Sequence, residues 1–188
     1  MAEKIRVGVW GLGRAGNGMH FSELAMYPDQ FEVVAGCDID IERREAAMKK
    51  KHGIHVYDNS ADFLKDQEVE LVTIATRSPD HVKHAIEAAE AGKYVMVEKP
   101  IACTLADALE LKKASEKFPG KIFIRHNRRF EPAFVHIREI IKSGKLGEIF
   151  RIESRVHGSR GIPGDWRQEK EHGGGMVLDW GVHLLDQA

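Results

Sequence analysis

Three glycines near the start of the chain have the spacing of a phosphate-binding turn. The segment that contains them consists of Gly11, Leu12, Gly13, Arg14, Ala15 and Gly16. It directly follows an apolar strand pattern at residues 5–10 and begins a helical pattern. In such a turn the first glycine permits a tight bend, the second lets the backbone approach a pyrophosphate, and the third lets helix and strand pack closely. The segment therefore predicts a dinucleotide site at a helix N-terminus, the alternative being a glycine-rich turn without a ligand.

An acidic residue at the end of the second strand pattern indicates which dinucleotide the turn would hold. Asp38 stands about 20 residues after Gly16, where a carboxylate commonly accepts hydrogen bonds from the adenosine ribose. Because such a carboxylate repels a 2′-phosphate, Asp38 favours NAD over NADP. Arg43 and Arg44 follow closely and leave NADP open as the cofactor. Asp40 is the more natural N-cap of the next helix.

A lysine follows the fifth strand pattern, at the edge of the sheet where open α/β folds bind ligands. This residue, Lys99, stands between Glu98 and Pro100. Its ammonium group can hydrogen-bond a substrate hydroxyl and stabilise the oxygen as it becomes an alkoxide or a carbonyl. A surface lysine paired with Glu98 fits the same spacing equally well.

An aspartate and a histidine, Asp179 and His183, stand at positions i and i+4 of the last helical pattern and would share a helix face. Loss of hydride from a carbinol carbon requires a base for the hydroxyl proton, and histidine titrates in the appropriate range. Asp179 would then orient the imidazole. The spacing equally fits a helix-stabilising contact or part of a metal site, but no third ligand has a recognisable spacing, so we predict no metal.

These groups need a scaffold, and the first part of the chain alternates between strand and helix patterns. The strand patterns cover residues 5–10, 31–37, 55–57, 70–76, 94–97 and 121–125, with helical patterns in the longer intervals. Parallel strands require crossover connections, which are almost always right-handed. Residues 1–127 are therefore predicted to form a dinucleotide-binding domain of the α/β class, with a doubly wound parallel Rossmann sheet.

The helical pattern before Glu98-Lys99-Pro100, the lysine segment, has distinct ends. Ser78 is the predicted N-cap, Pro79 takes the first helical position, and Gly92 closes the helix. The predicted buried stripe consists of Val82, Ala85, Ile86 and Ala89. His81 and His84 flank this stripe, and we expect both to lie on the surface.

The pattern changes after residue 127. Residues 132–143 are helical, with Phe134, Ile137 and Ile141 on one face, and residues 149–156 alternate like a strand with one solvated face. A glycine-rich loop at 158–175 leads to the last helical pattern. Because one strand and a helix cannot close a sheet, we expect residues 128–188 to be the start of a truncated α+β domain, incomplete or completed by another chain.

The composition is that of an ordinary globular protein. The 188 residues are 43% hydrophobic and 30% charged with a net charge of -1, which gives no reason to expect nucleic acid or an anionic membrane as a partner. Cys37 and Cys103 lack the spacing of a disulfide framework or a metal site and predict small buried side chains. No apolar leader precedes the first strand pattern, and no run reaches the ~18 apolar residues of a membrane span. We therefore expect a cytoplasmic protein.

Taken in order, these motifs resemble those of the Gfo/Idh/MocA oxidoreductases, the family of glucose-fructose oxidoreductase and inositol dehydrogenase. Besides the glycine segment, Asp179 and His183, the resemblance is carried by Ala91-Gly92-Lys93, Glu98-Lys99-Pro100, Arg128-Arg129-Phe130, Asp165-Trp166-Arg167 and Gly173-Gly174-Gly175. It implies an NAD(P)-dependent oxidoreductase that acts on a sugar, cyclitol or related polyol by hydride transfer. It also implies a homo-oligomer for a full-length parent, of which this chain would be a fragment.

The resemblance further implies roles for individual residues. Lys99 would hydrogen-bond the reacting hydroxyl, His183 would act as the acid/base, and Asp179 would support both the substrate and His183. The peptide bond before Pro100 is often cis in this family. Further contacts are implied, to the cofactor from Thr76, Ser78 and Glu98 and to the substrate from Arg128, Trp166 and Arg167. The chain departs from the family at Arg77, since Thr-Pro-Asn is common after the fourth strand, and this arginine would alter the charge of the pocket.

Two functions from other classes remain open. A nucleotide-binding module would hold NAD without turnover. A structural subunit would have its sheet edge after Val156 completed by another chain.

Overall fold

A six-stranded sheet organises the first part of the chain. Its strands are β1 (Ile5–Trp10), β2 (Phe31–Cys37), β3 (His55–Tyr57), β4 (Leu71–Ile74), β5 (Tyr94–Glu98) and β6 (Ile122–Arg125). Their order is β3-β2-β1-β4-β5-β6, and the pairings among β1 to β5 are parallel. The structure is a computed structural model that describes residues 3–157, 164 and 166–188. It confirms the predicted α/β Rossmann sheet.

Helices connect the strands. They are a π-helical turn (Arg14–His20) continued by α1 (Phe21–Ala25), then α2 (Ile41–Lys50), α3 (Ser60–Lys65), a 3-10 turn (Ser78–Asp80) followed by α4 (His81–Glu90), and α5 (Leu105–Lys117). Side-chain caps begin α2, where Asp40 accepts the Glu42 N–H at 2.9 Å, and α5, where Thr104 accepts the Asp107 N–H at 3.1 Å. The sequence patterns did not predict α3, which has one buried residue, Phe63, and is too short to show a helical period.

Two clusters of buried apolar side chains cover the two faces of the sheet. Val9 and Trp10 are adjacent in β1 and belong to different clusters, because successive strand residues point to opposite faces. Helices α4 and α5 complete the cluster around Trp10, and α1 and α2 complete the cluster around Val9. This double cover explains why all four residues of β4 are buried.

The helix before the lysine segment differs from its prediction in two respects. Helix α4 begins at His81, since Ser78 begins a 3-10 turn instead of capping the helix. The expected surface location of the two histidines was wrong: His81 is 2% exposed, and the ring of His84 stacks on Trp10 with the ring centroids 4.0 Å apart. His81, His84 and Ala88 stand at i, i+3 and i+7, so they form one helix face that packs against the sheet.

The contacts between Cα atoms separate the chain into two units, Met1–Ile124 and Arg125–Ala188. The elements of the second unit are a 3-10 turn (Asn127–Phe130), α6 (Pro132–Lys142), further 3-10 turns (Trp166–Gln168 and Lys170–His172), a π-helical turn (Val177–Gly181) and α7 (Val182–Gln187). The predicted apolar face of α6 lines a groove together with Leu146, Ile149 and Ile152. The boundary at residue 127 stays a prediction.

The strand predicted at residues 149–156 was wrong, because these residues form no strand in the structure. A strand requires a hydrogen-bonding partner, and the described residues after Arg125 contain no other strand that could pair with it. Of the loop predicted at 158–175, residues 158–163 and Asp165 lie outside the described residues, and Gly164 and residues 166–175 are described. None of the helices in the described ranges is long and apolar enough to cross a membrane.

Candidate functional site

The glycine turn is built around two close backbone approaches. Gly11 has φ +93°, and a side chain there would lie 2.7 Å from the backbone of Ala75. A side chain at residue 16 would overlap the carbonyl oxygen of Gly11, so only glycine lets the following helix pack so closely on β1. At Gly13 a side chain would meet only the Arg43 guanidinium, at 3.6 Å. The turn therefore leaves open space beside its second glycine, where the motif would receive a pyrophosphate.

Asp38 connects this turn to the end of β2. Its carboxylate accepts the Leu12 N–H at 2.8 Å and the Asp40 N–H at 3.0 Å, and the side chain is buried. Arg43 lies 3.5 Å from the same carboxylate, and Arg44 donates to the Asp38 carbonyl oxygen at 2.7 Å. Carboxylate and guanidinium groups thus meet where the adenosine ribose of a dinucleotide would lie.

An exposed apolar residue next to Asp38 was missed by the sequence patterns. Ile39 is 90% exposed and stands between Asp38 and Asp40, directly after a buried strand. An isoleucine left in solvent between two carboxylates offers an apolar surface that the flat face of an adenine could cover. The signal was a single apolar residue outside any periodic pattern, so periodicity could not detect it.

Glu98 is buried and holds the lysine segment in place. Its carboxylate lies 3.0 Å from Nε2 of His20, in the helix after the glycine turn, and it also accepts the Lys99 N–H at 3.2 Å. Lys99 itself is half-buried, and the peptide bond between Lys99 and Pro100 is cis, as the resemblance implied. His20 was not predicted to be a site residue, because nothing local in the sequence relates it to Glu98.

The loop at residues 75–77, between β4 and the 3-10 turn that begins at Ser78, completes this part of the site, and we call it the Thr76 loop. The Thr76 hydroxyl lies 3.0 Å from Nδ1 of His84, and Ser78 is buried. Desolvation lowers the pKa of His84 to about 4, so the ring that contacts Thr76 is neutral at pH 7. The ring nitrogens of His81 lie 2.7 Å from the Pro100 carbonyl oxygen and 3.2 Å from that of Thr76. The structure therefore brings the glycine turn, the Thr76 loop and the Lys99 segment together at the carboxyl ends of β1, β4 and β5.

In the second unit His183 is 5% exposed and lies among aromatic rings. The ring of His126 is 6.4 Å from that of His183, and the ring of Trp180 is 6.1 Å from it, both edge to face. Asp186 is close by, with Nδ1 of His126 3.6 Å from its carboxylate. Arg129 donates two hydrogen bonds to Asp186, at 2.8 and 2.5 Å, and these hold the pKa of the Asp186 carboxyl below its ordinary value. His126 and Asp186 were not predicted as site residues.

Asp179 lies with the predicted substrate-binding residues of the second unit. Its carboxylate is 3.8 Å from Nε of Arg167, and both side chains are mostly buried. The guanidinium of Arg167 covers Trp166 at 4.3 Å, and that of Arg128 covers Trp180 at 4.2 Å. The structure thus groups Arg128, Trp166, Arg167, Asp179 and His183 within residues 125–188. Their roles toward a substrate stay predictions.

The glycine triplet before this helix has a steric reason. A side chain at Gly174 would overlap the carbonyl oxygen of Arg167, and the Gly175 N–H donates to the same oxygen at 2.8 Å. The triplet therefore lets the turns that begin at Trp166 pack against the start of the last helix. No group of three potential metal ligands occurs among the residues that the structure describes.

Comparisons with known proteins agree with this geometry. Residues 5–126 match a family model described as the GFO/IDH/MocA oxidoreductase family, NAD-binding Rossmann fold, and residues 134–188 match the GFO/IDH/MocA C-terminal domain. An uncharacterized oxidoreductase of Schizosaccharomyces pombe, C115.03, is 35% identical, with 98% of this chain and 51% of the relative covered. Inositol 2-dehydrogenase of Salmonella typhimurium is 34% identical, with 85% of this chain and 48% of the relative covered.

Solved structures show the same fold. An NAD-binding protein from Listeria innocua is 42% identical with a TM-score of 0.87, covering 98% of this chain and 54% of that protein. The WlbA dehydrogenase from Bordetella pertussis, in complex with NADH and UDP-GlcNAcA, is 27% identical with a TM-score of 0.83, covering 99% of this chain and 56% of that protein. The chain spans about half the length of the relatives it matches.

We expect Gly16→Ala to weaken NADH binding at least about tenfold, equivalent to ~1.4 kcal/mol, because the added methyl group overlaps the Gly11 carbonyl oxygen. Gly18→Ala is the matched control, since no atom lies within 4 Å of a side chain at that position of the same helical turn. Titration of NADH fluorescence, with thermal unfolding of each variant, measures the effect. Equal NADH affinity in the two variants would contradict the steric role of Gly16.

We expect Asp186→Asn to reduce the stability of the protein at neutral pH and to have less effect in acid. The folded-state pKa of Asp186 is lowered by Arg129, so its contribution is complete above the ordinary carboxyl pKa of about 3.9 and is lost as the pH falls through the folded-state value. Urea unfolding of both proteins across a pH series measures the difference, and Glu139→Gln on exposed α6 is the control. A pH-independent difference would rule out this linkage.

Proposed function

The chain belongs to the Gfo/Idh/MocA oxidoreductase family, and we propose that it takes part in the NAD-dependent oxidation or reduction of a sugar, cyclitol or related polyol. The observation that carries the proposal is the meeting of the glycine turn, the Thr76 loop and the Lys99 segment at one sheet edge. This is the edge where open α/β sheets bind dinucleotides. The relatives named for inositol oxidation and for a bound nucleotide sugar support the polyol class of substrate.

The residues of the glycine turn fit an NAD molecule. The open space at Gly13 would admit the pyrophosphate, and the helix that follows would direct its N–H groups at the phosphates. The Asp38 carboxylate keeps lone pairs for the ribose hydroxyls beyond the two N–H groups that it already accepts. When bound, NAD supplies the carbon that accepts or donates the hydride. Thr76, Ser78 and Glu98 would complete the cofactor site from the neighbouring strand ends.

Lys99 would act on the oxygen of the reacting carbinol. Its half-buried ammonium group would donate a hydrogen bond to that oxygen and stabilise the negative charge that develops when the proton leaves. Partial burial strengthens such an interaction, because fewer water molecules compete for the same oxygen.

His183 would transfer the hydroxyl proton. Its side chain is buried, and the charge of the nearby Asp186 carboxylate acts on its ring. Asp179, paired with Arg167, would accept hydrogen bonds from further substrate hydroxyls. Arg128, Trp166 and Arg167 offer the flat guanidinium and aromatic surfaces that commonly bind polyhydroxylated molecules.

We expect Asp38→Asn to raise the ratio of NADPH affinity to NADH affinity at least about tenfold. The substitution keeps an acceptor for the Leu12 N–H but removes the charge that repels a 2′-phosphate, while Arg43 and Arg44 stay in place. Asp40→Asn, which neutralises the carboxylate at the start of α2, is the matched control. Competitive titration with both cofactors measures the ratio, and an unchanged ratio for Asp38→Asn would exclude this role.

We expect Lys99→Met to lower the rate of polyol oxidation by about 10²-fold or more, while the affinity for NADH changes little. NADH formation with a panel of cyclitols and sugars identifies the substrate first, and the variant is then measured on it. Lys83→Met, at an exposed position of α4, is the control. Unchanged turnover would refute the role of Lys99. A wild-type protein that binds NADH but oxidises no member of the panel would favour a nucleotide-binding module instead.

A further inference from the structure

Two buried histidines contact the neighbours of Lys99 in the chain, one at the Glu98 side chain and the other at the Pro100 backbone. His20 is 3% exposed and His81 is 2% exposed. His20 contacts the Glu98 carboxylate on one side of Lys99, and His81 contacts the Pro100 carbonyl oxygen on the other side. We propose that His20 and His81 are positioning residues that fix the backbone from which the Lys99 side chain extends. The inference rests on the proposed function, in which Lys99 contacts the substrate.

The contact on the first side passes through a carboxylate bridge. Oε1 of Glu98 accepts a hydrogen bond from Nε2 of His20 at 3.0 Å, and Oε2 accepts one from the Lys99 N–H at 3.2 Å. Each carboxylate oxygen of Glu98 therefore has a donor. Together these two hydrogen bonds determine the direction of the Lys99 N–H. Because a buried carboxylate that loses a donor must find another, removal of the His20 imidazole displaces Glu98 and with it the Lys99 backbone.

On the second side, the ring of His81 lies between the Pro100 and Thr76 carbonyl oxygens. One ring nitrogen of His81 lies 2.7 Å from the Pro100 carbonyl oxygen, and the other lies 3.2 Å from the Thr76 carbonyl oxygen. Burial lowers the pKa of His81, so the ring is neutral and carries one proton. We assign that proton to the shorter contact, in which Nδ1 donates to Pro100. His81 thereby anchors the Pro100 carbonyl oxygen to the first residue of α4, whereas Nε2, which then carries no proton, makes no hydrogen bond to the Thr76 carbonyl oxygen.

His20 and His81 differ from ordinary core residues in the elements to which they belong. His20 belongs to the helical turn that begins at the glycine motif, and His81 begins the helix that follows the Thr76 loop. These are the two elements proposed to receive the dinucleotide. A lysine ammonium on a flexible four-carbon stem requires a fixed backbone to reach one oxygen reliably. A displacement of about 1 Å at such a site can reduce the rate about 10²-fold.

The test compares variants that remove each imidazole with variants that keep its donor. His20→Leu and His81→Leu remove the donors, whereas His20→Gln preserves a donor at the position of Nε2 and His81→Asn preserves one at the position of Nδ1. The exposed His52 gives the control, His52→Leu. The first measurement is the amide ¹H–¹⁵N resonance of Lys99 in the NADH-bound protein. The second is the turnover of the polyol that the wild-type protein oxidises.

We expect both leucine variants to move the Lys99 amide resonance and to lower kcat about tenfold or more, with KM changed less than threefold. The glutamine and asparagine variants should restore most of both values, and His52→Leu should change neither. A folded leucine variant with the wild-type Lys99 resonance would overturn the proposal for that histidine. So would a donor-keeping variant that behaves like the leucine variant although its other resonances match the wild type.

Two further arms keep the result decisive. If His20→Leu does not fold, Glu98→Gln replaces it, since the amide keeps the shape of the side chain but weakens both hydrogen bonds of the bridge. An unmoved Lys99 resonance in that variant would overturn the bridge. If the wild-type protein oxidises no polyol, the proposed function fails, whereas the resonance comparison still decides whether the two histidines position Lys99.

Discussion

The arrangement of the first unit depends on one constraint, namely that residue 16 must be a glycine, which has no side chain. A methyl group there would overlap the carbonyl oxygen of Gly11, so glycine alone allows the helical turn to lie against the end of β1. That close approach brings His20, one turn later, into contact with the buried Glu98 at the end of β5. The same small residue therefore shapes the phosphate turn and connects it to the lysine segment.

Much of this unit could be predicted because its signals are local. The glycine spacing and the apolar runs of β1 to β6 each depend on residues close together in the chain. The family resemblance rests on the same local motifs, and the family models confirm it. In contrast, the contacts of His20 with Glu98 and of His84 with Trp10 join residues far apart in sequence, so no spacing rule could identify them.

In the second unit, the local spacing of residues identified only some of the groups around His183. The i, i+4 spacing selects Asp179 as the partner of His183, but the fold also places Asp186, held by Arg129, in the surroundings of that histidine. The alternation at residues 149–156 fits a strand, but the prediction was wrong, because a strand forms only where a partner offers its hydrogen bonds. Both differences arise from tertiary contacts that a single sequence does not encode in its spacing.

A crystal structure of the protein with NADH bound tests the central claim most directly, namely that one sheet edge holds both the dinucleotide and the lysine segment. The claim predicts the pyrophosphate beside Gly13, the adenosine ribose on the Asp38 carboxylate and the nicotinamide ring next to the ammonium group of Lys99. A dinucleotide bound away from the glycine turn, or a nicotinamide directed away from Lys99, would contradict it.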